Sequence, residues 1–553
     1  MESGSPTRHS IAGSTDDTKV ADDCKSVECT VSGLASERRR EHDDEAVQVL
    51  QAAEWEPQSP ITDDEERELL KRIDWRILPL ICVGTALQYA DKAALSVGAL
   101  FGLIRDLKLY VAQTGGTFDT HRYSLVAIIY YVGYVVGTPI LSTIAQRLPT
   151  SKMCSLYVLF WGIVTILTPT CKGFESLIAQ RFVLGMLEGG VSPAFLTILG
   201  MWYRKREQAL RAPILYSANG FFVVPLLALF YGIVHIGPRA HAWKSIYYFL
   251  GVTTILFAFI LYAFLPDSPV SAKWLTSRQR YVAVERLRDN QAGLNSKRLK
   301  VSHLLEAVSD IKVFILMLMT FCTCAPAGVI GTFSPLVISS GYGADPLRTL
   351  LLLMPTGLVA GFSNIIGGSV RSIQPIDLSS SVDLTSFRQL MLRYIALKYK
   401  NTRIAVIIAL SIISVTGTAL QWHVPLTKKR GLLAGVYLII ASSGALGGLT
   451  GLALSNTAGA TKKLVVSALV FITIASANIA TPFLFKKSEQ PRYPLAFQVT
   501  MILQCAGIGL SLLYAALCIR ENRRRDQSVK MQDQDLAFSD STDMENVAFR
   551  YVW

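Results

Sequence analysis

Arg181 and Glu188 stand inside Arg181-Phe-Val-Leu-Gly185-Met-Leu-Glu188-Gly-Gly, a stretch otherwise apolar enough to cross a bilayer. Each charge at mid-membrane costs roughly 2.5–3.5 kcal/mol on insertion scales, so an intramembrane ionisable pair points to a functional site. Seven residues carry a helix within about 20° of two full turns, which puts Arg181 and Glu188 on one face. That face is expected to look into a polar cavity. A second pair, Asp91 and Lys92, sits two-thirds along another apolar stretch. Adjacent residues diverge by about 100° on a helix, so one can face a cavity while the other pairs with a neighbouring helix. Arginine offers a planar fork to a carboxylate and lysine a point charge. A carboxylate beside a cation, favoured as the acid by burial and as the anion by its neighbour, can exchange a proton. Together these four residues could bind a small anion and carry a proton.

The elements that must position them are helices in a membrane. Of 553 residues 51% are hydrophobic and 17% charged, a balance that suits a multi-span protein better than a soluble one. The net charge of +13 does not point to nucleic acid, because the basic residues are spread over short loops between apolar runs. Nine cysteines, including the pair Cys322-Thr-Cys324, give no disulfide or metal framework and are expected to be reduced. No cluster with metal-ligand spacing, no catalytic triad and no phosphate-binding G-x-x-x-x-G-K-[ST] loop occurs, which argues against an enzyme or an ATP-driven pump.

About twelve apolar segments are long enough to span: 77–98, 123–146, 153–171, 175–201, 212–235 and 246–265, then 312–337, 349–370, 403–422, 432–455, 464–485 and 495–518. The expected domains are a disordered cytosolic tail (1–72), a six-helix half (73–265), a cytosolic central loop (266–311), a second six-helix half (312–518) and a second disordered cytosolic tail (519–553). Loop charges at Arg147, Lys152, Arg204-Lys205-Arg206, Lys398, Lys400 and Lys462-Lys463 put the tails and the central loop in the cytosol, with Lys428-Lys429-Arg430 and Lys486-Lys487 as exceptions.

Two halves of six spans are the architecture of the major facilitator superfamily, whose site lies near the midplane between the halves. Local motifs go further. Asp74-Trp-Arg76-Ile-Leu-Pro79, Leu87-Gln-Tyr-Ala-Asp91-Lys92, Arg181-Phe182 to Glu188, Met201-Trp-Tyr-Arg-Lys-Arg-Glu207 and Leu265-Pro-Asp-Ser-Pro269 with Ala272-Lys-Trp-Leu275 together resemble the anion:cation symporter family, in particular its fungal allantoate permease branch. The resemblance covers about residues 68–525. It implies an all-α membrane protein that takes up a small organic anion, such as allantoate, ureidosuccinate or a related carboxylate or vitamin, by proton-coupled symport at the plasma membrane. The proton is the coupling ion, no other cofactor is implied, and a monomer is the expectation.

On that reading Arg181, Lys92 and Asn219 bind substrate, while Asp91 and Glu188 couple the proton. Structural readings stand beside these: an Asp91–Lys92 ion pair between helices, an Arg181 held by backbone carbonyls, a Glu188 that only neutralises a cation, an Asn219 bonded between helices. Arg147 and Lys152 lie where the superfamily often has G-x-L-A-D-R-x-G-R-R. Here Gln146 replaces the acid, which puts the usual charge-relay latch in doubt. Residues 371–394 and 110–122 look longer than the family pattern. A nutrient sensor on the same scaffold, an efflux antiporter or a sugar facilitator are the competing functions.

Overall fold

The computed structural model describes residues 61–112, 118–119, 121–236, 241–287, 301–336, 338–339, 345–369, 403–425, 427–484, 489, 492–528, 542–546 and 549–553. Six long helices form the first half: Asp63–Leu100, His121–Arg147, Thr150–Leu167, Phe174–Trp202, Lys205–Ile236 and Ala242–Phe264. Six more form the second: Ile311–Leu336, Pro346–Ser369, Arg403–His423, a broken tenth helix (Lys429–Ile439 and Ser442–Ser455), Ala460–Ala480 and Pro494–Ser528. Among the described residues eleven helices are long and apolar enough to cross a membrane. The first helix is not among them because Asp91 and Lys92 dilute its apolar stretch; with it the count is twelve.

Close backbone contact between the second and fourth helices organises the first half. A Cβ added at Gly185 would lie 1.9 Å from the Tyr130 carbonyl oxygen, and one at Gly137 would lie 2.1 Å from that of Met186. Only a glycine hydrogen fits between chains this near, and the loss of helix propensity, about 1 kcal/mol per glycine, is offset by packing. The second half repeats the device between its eighth and tenth helices, where Gly367 and Gly444 stand against each other's chains. The halves meet along the fifth and eighth helices, at Gly220 against Gly361, and along the second and eleventh, where Tyr134 packs on Phe471 and Ala475.

Three sequence expectations change. The first helix begins at Asp63, not after residue 72: Thr62 caps Glu65, and Asp63, Asp64, Glu65 and Glu66 fill the first turn, where the helix dipole favours anions. The central loop is structured. Its helix Ser277–Glu285 is tied to the first half by Arg278–Glu65 at 2.9 Å and by Arg286 with Glu66 and Glu207. Trp274 stacks on Trp202 at 5.8 Å. The Arg278 guanidinium holds the Glu65 carboxyl below the usual carboxylate range. A second loop helix, Val301–Ser309, belongs to the other half through Glu306 and Lys462. Finally, residues 519–528 continue the twelfth helix, and residues 542–546 and 549–553 are packed rather than disordered, because Asp543 and Tyr551 find buried partners.

The extended 110–122 segment carries a small antiparallel pair, Val111–Ala112 with Phe118–Asp119. The 371–394 segment and Lys398 and Lys400 lie outside the described residues, as do residues 1–60 with Cys24 and Cys29. The seven described cysteines, Cys322 and Cys324 among them, are free thiols.

Gly185→Val is expected to cost several kcal/mol, beyond the usual overpacking range of about 1–3 kcal/mol, because its neighbours are backbone atoms that cannot turn away. Gly200→Ala, with nothing within 4 Å of the added carbon, is the matched control and should leave thermal unfolding in detergent unchanged or slightly raised. Equal melting temperatures for the two variants would contradict the packing assignment.

Candidate functional site

The fourth helix starts at Gly173, where Ser176 bonds back to the preceding backbone, and its glycine-rich middle lets it lie against the second helix. The first helix crosses beside it, so the four intramembrane charges meet as two pairs. Arg181 Nη1 lies 3.7 Å from Asp91 Oδ2, and each side chain is 2% exposed. Lys92 Nζ lies 3.7 Å from Glu188 Oε2; Glu188 is fully buried while Lys92 is 36% exposed. The pairing is crossed relative to the sequence: neither Asp91 with Lys92 nor Arg181 with Glu188.

Tyrosines complete both pairs. Tyr130 of the second helix donates to Glu188 Oε2, and Arg181 donates to the hydroxyl of Tyr247 on the sixth helix. Thr165 of the third helix donates to Asp91 Oδ1 at 3.4 Å. Lys92 lies 5.8 Å from the ring centroids of both Tyr130 and Tyr134, within cation–π reach. Sequence reasoning missed these partners. The spacing Tyr130-Tyr131-x-x-Tyr134 was the available signal, since it stacks two hydroxyl-bearing rings on one helix face.

Beside the pairs lies a cavity of about 220 Å³ between the halves. Gln88, Lys92, Tyr134, Ser192 and Asn219 line it from the first half, and Leu446, Phe471 and Ala475 from the second. Ser192 donates to Gln88 Oε1 at 3.0 Å, which fixes the amide. Asn219 Oδ1 is buried without a hydrogen-bond partner, which leaves acceptor capacity at the wall, and Glu188 Oε1 behind the lining is likewise without one.

The expectation that Arg181 and Glu188 look into the cavity is not met by the geometry: neither lines it, and nor does Asp91. The reason is that the fourth helix turns its charged face toward the first, second and sixth helices, where each charge finds a partner. Lys92 and Asn219 do line the cavity. Lys152 is exposed at the third helix's start, and the side chain of Arg147 lies outside the described residues. Asp267 of the central loop accepts from the Ser151 backbone N–H at 2.7 Å and from its hydroxyl at 2.6 Å, an anion at a helix N-terminus.

The Major Facilitator Superfamily model matches residues 81–397. The chain belongs to the major facilitator superfamily. It is 31% identical over 504 residues to an uncharacterized transporter of Schizosaccharomyces pombe, covering 89% of this chain and 88% of that one. It is 29% identical over 523 residues to the allantoate permease of Saccharomyces cerevisiae, covering 92% and 90% of the two chains. The proton:xylose symporter XylE, solved with 6-bromo-6-deoxy-D-glucose, shares the fold with a TM-score of 0.56 at 15% identity, over 80% of this chain and 95% of that one. This protein is therefore a multi-pass membrane transporter of the superfamily, resembling the allantoate permease along most of its length.

Arg181→Gln should destabilise the protein by about 3–5 kcal/mol, since it leaves Asp91 buried without its cation. The double variant Arg181→Gln, Asp91→Asn should recover more than half of that loss. Thermal unfolding of the single and double variants in one detergent measures it; additive losses would show that the two residues do not act as a pair.

Proposed function

We propose that this protein is a proton-coupled symporter that takes a small organic carboxylate into the cell across the plasma membrane, with its termini and central loop in the cytosol. The observation that carries the reading is the Lys92–Glu188 pair, whose cation alone lines the cavity. Lys92 is the cation on the cavity lining, and its counterion is a fully buried carboxylate behind it.

A substrate carboxylate entering the cavity competes with Glu188 for the Lys92 ammonium. Two carboxylates cannot share one cation in a site shielded from water without a large electrostatic cost, so the displaced Glu188 takes a proton. The loaded site then holds one added anion and one added proton, and its net charge is unchanged. Release of substrate on the other side returns Lys92 to Glu188 and expels the proton. This exchange links the two movements with no further machinery. Tyr130, bonded to Glu188, holds that carboxyl within reach of Lys92 in either state.

Arg181 is given a different role from the one its sequence context implies. With Asp91, Tyr247 and Thr165 it anchors the first helix against the third, fourth and sixth, and so fixes where Lys92 points. Asn219, with an unpaired carbonyl oxygen at the wall, is placed to accept an N–H from the bound substrate. A cavity of about 220 Å³ accommodates a compact carboxylate and is small for a dipeptide. Similarity to the allantoate permease and the lysine on the lining support an anion over a neutral sugar.

In liposomes, accumulation of labelled allantoate or a related carboxylate should follow an inward proton gradient and vanish with a protonophore, while substrate-for-substrate exchange persists. Accumulation that survives the protonophore would reject the coupling. Lys92→Gln should weaken binding of the acid by roughly ten-fold or more, the scale of one charge-assisted hydrogen bond, and barely alter binding of the amide analogue. An equal loss for acid and amide would remove Lys92 from carboxylate recognition.

Glu188→Gln separates the steps. Glutamine stands in for the protonated acid, so binding and exchange should remain while gradient-driven accumulation is lost. Equilibrium binding and uptake measured on one preparation check this; intact accumulation would exclude Glu188 as the proton carrier.

A further inference from the structure

Far from the cavity, on the face that carries the central loop, the second half presents a site that transport chemistry does not use. Its centre is Lys462, fully buried at the start of the eleventh helix, ringed by Asp543 at 2.7 Å, Glu306 at 2.9 Å and Asp310 at 3.0 Å. Glu306 and Asp310 are local to the loop helix and the start of the seventh helix. Asp543, 1% exposed, arrives from a segment beyond the end of the twelfth helix.

That segment is read by side chains and backbone at once. Asn456, at the end of the tenth helix, donates to the Val552 carbonyl and accepts from its N–H, both at 2.7 Å. Asn522 of the twelfth helix makes the same reciprocal pair with Tyr551, at 2.8 and 2.9 Å. Two asparagine amides on separate helices thus hold the segment's backbone as a neighbouring strand would. Arg525 donates to the carbonyl oxygens of Asp543, Asn546 and Phe549.

Tyr551 closes the arrangement. Its hydroxyl donates to Asp543 Oδ2 at 2.8 Å, and the Lys312 ammonium lies 3.6 Å from its ring centroid. Phe549 and Trp553 pack on an apolar core formed by the seventh and the ninth to twelfth helices together with Ala307 of the loop helix. Asp543 thus has a partner outside the segment in Lys462, the Tyr551 ring in Lys312, and the backbone in Asn456, Asn522 and Arg525.

We propose that residues 542–546 and 549–553 act as an intramolecular ligand: an acidic and aromatic stretch that docks in a site built by the ends of the seventh, tenth, eleventh and twelfth helices and locks those ends together. The tenth and eleventh helices line the cavity at Leu446, Phe471 and Ala475, so the docked segment holds the cavity's second-half wall as one rigid piece. The site takes a peptide of this chemistry and discriminates by the Asp543 carboxylate, without which Lys462 and Lys312 share one carboxylate fewer.

The test uses the full chain, folded before it is cut. A specific protease site is placed between Ser528 and Thr542, the protein is purified and cleaved, and retention of the fragment is followed by size-exclusion chromatography. The wild-type fragment should stay with the transporter, and an excess of synthetic 542–553 peptide should exchange it. With Asp543→Asn the fragment should dissociate at least about ten-fold faster, as expected for loss of a charge-assisted contact. Immediate loss of the wild-type fragment overturns the proposal, and so does equal retention of the two fragments. Because cleavage follows folding, neither result reduces to a failure to fold.

Discussion

A charge in a hydrocarbon slab must find its opposite, and four of them in this protein do so within one cluster. Asp91, Lys92, Arg181 and Glu188 would each be costly alone at that depth. Crossed pairing, Asp91 with Arg181 and Lys92 with Glu188, makes the cluster neutral and ties the first helix to the fourth at two heights. The glycine contact between the second and fourth helices serves the same end, because it brings Tyr130 close enough to bond Glu188. Widening that contact by one methyl group would move the tyrosine and leave the carboxylate with a single partner.

The two pairs are not equivalent. Arg181 and Asp91 are closed off by Tyr247 and Thr165 and form a fixed post. Lys92 is reachable from the cavity, and its partner is not. This asymmetry turns a neutral cluster into a candidate exchange site, since an incoming anion can reach the cation of one pair only. In the proposed cycle, neutrality of the empty site and neutrality of the loaded, protonated site are the same electrostatic requirement met in two ways.

The family motifs outside the membrane have a mechanical reading. Asp74 pairs with Arg211 at 2.7 Å, Arg204 with Glu66 at 2.6 Å, and Trp202 stacks on Trp274. The first two tie elements of the first half to one another; the Trp202–Trp274 stack, with the Arg278–Glu65 pair, fastens the first part of the central loop to that half, while Glu306 and Asp310 fasten its last part to the second through Lys462. Each half thus carries its own portion of the loop, as two bodies that rock against one another require.

The sequence by itself determined the membrane-spanning architecture, its division into two halves and the residues that bear charge inside the bilayer. Apolar runs of about twenty residues and isolated intramembrane charges admit few other readings, because solvation in lipid acts on each segment locally. Helical periodicity also showed that Asp91 and Lys92 diverge. It could not show which charge faces the cavity, because that depends on which helix lies opposite, and helices a hundred residues apart in sequence decide it. Arg181, the residue whose chemistry best suits a carboxylate, proved to be walled in by Asp91 and Tyr247, and Lys92 took the lining. The partners of Asp267 and Asp543 were invisible for the same reason: the motif around Asp267 was legible, but which N–H or buried cation a carboxylate in a polar segment meets is decided only when tertiary structure brings Ser151 or Lys462 to it.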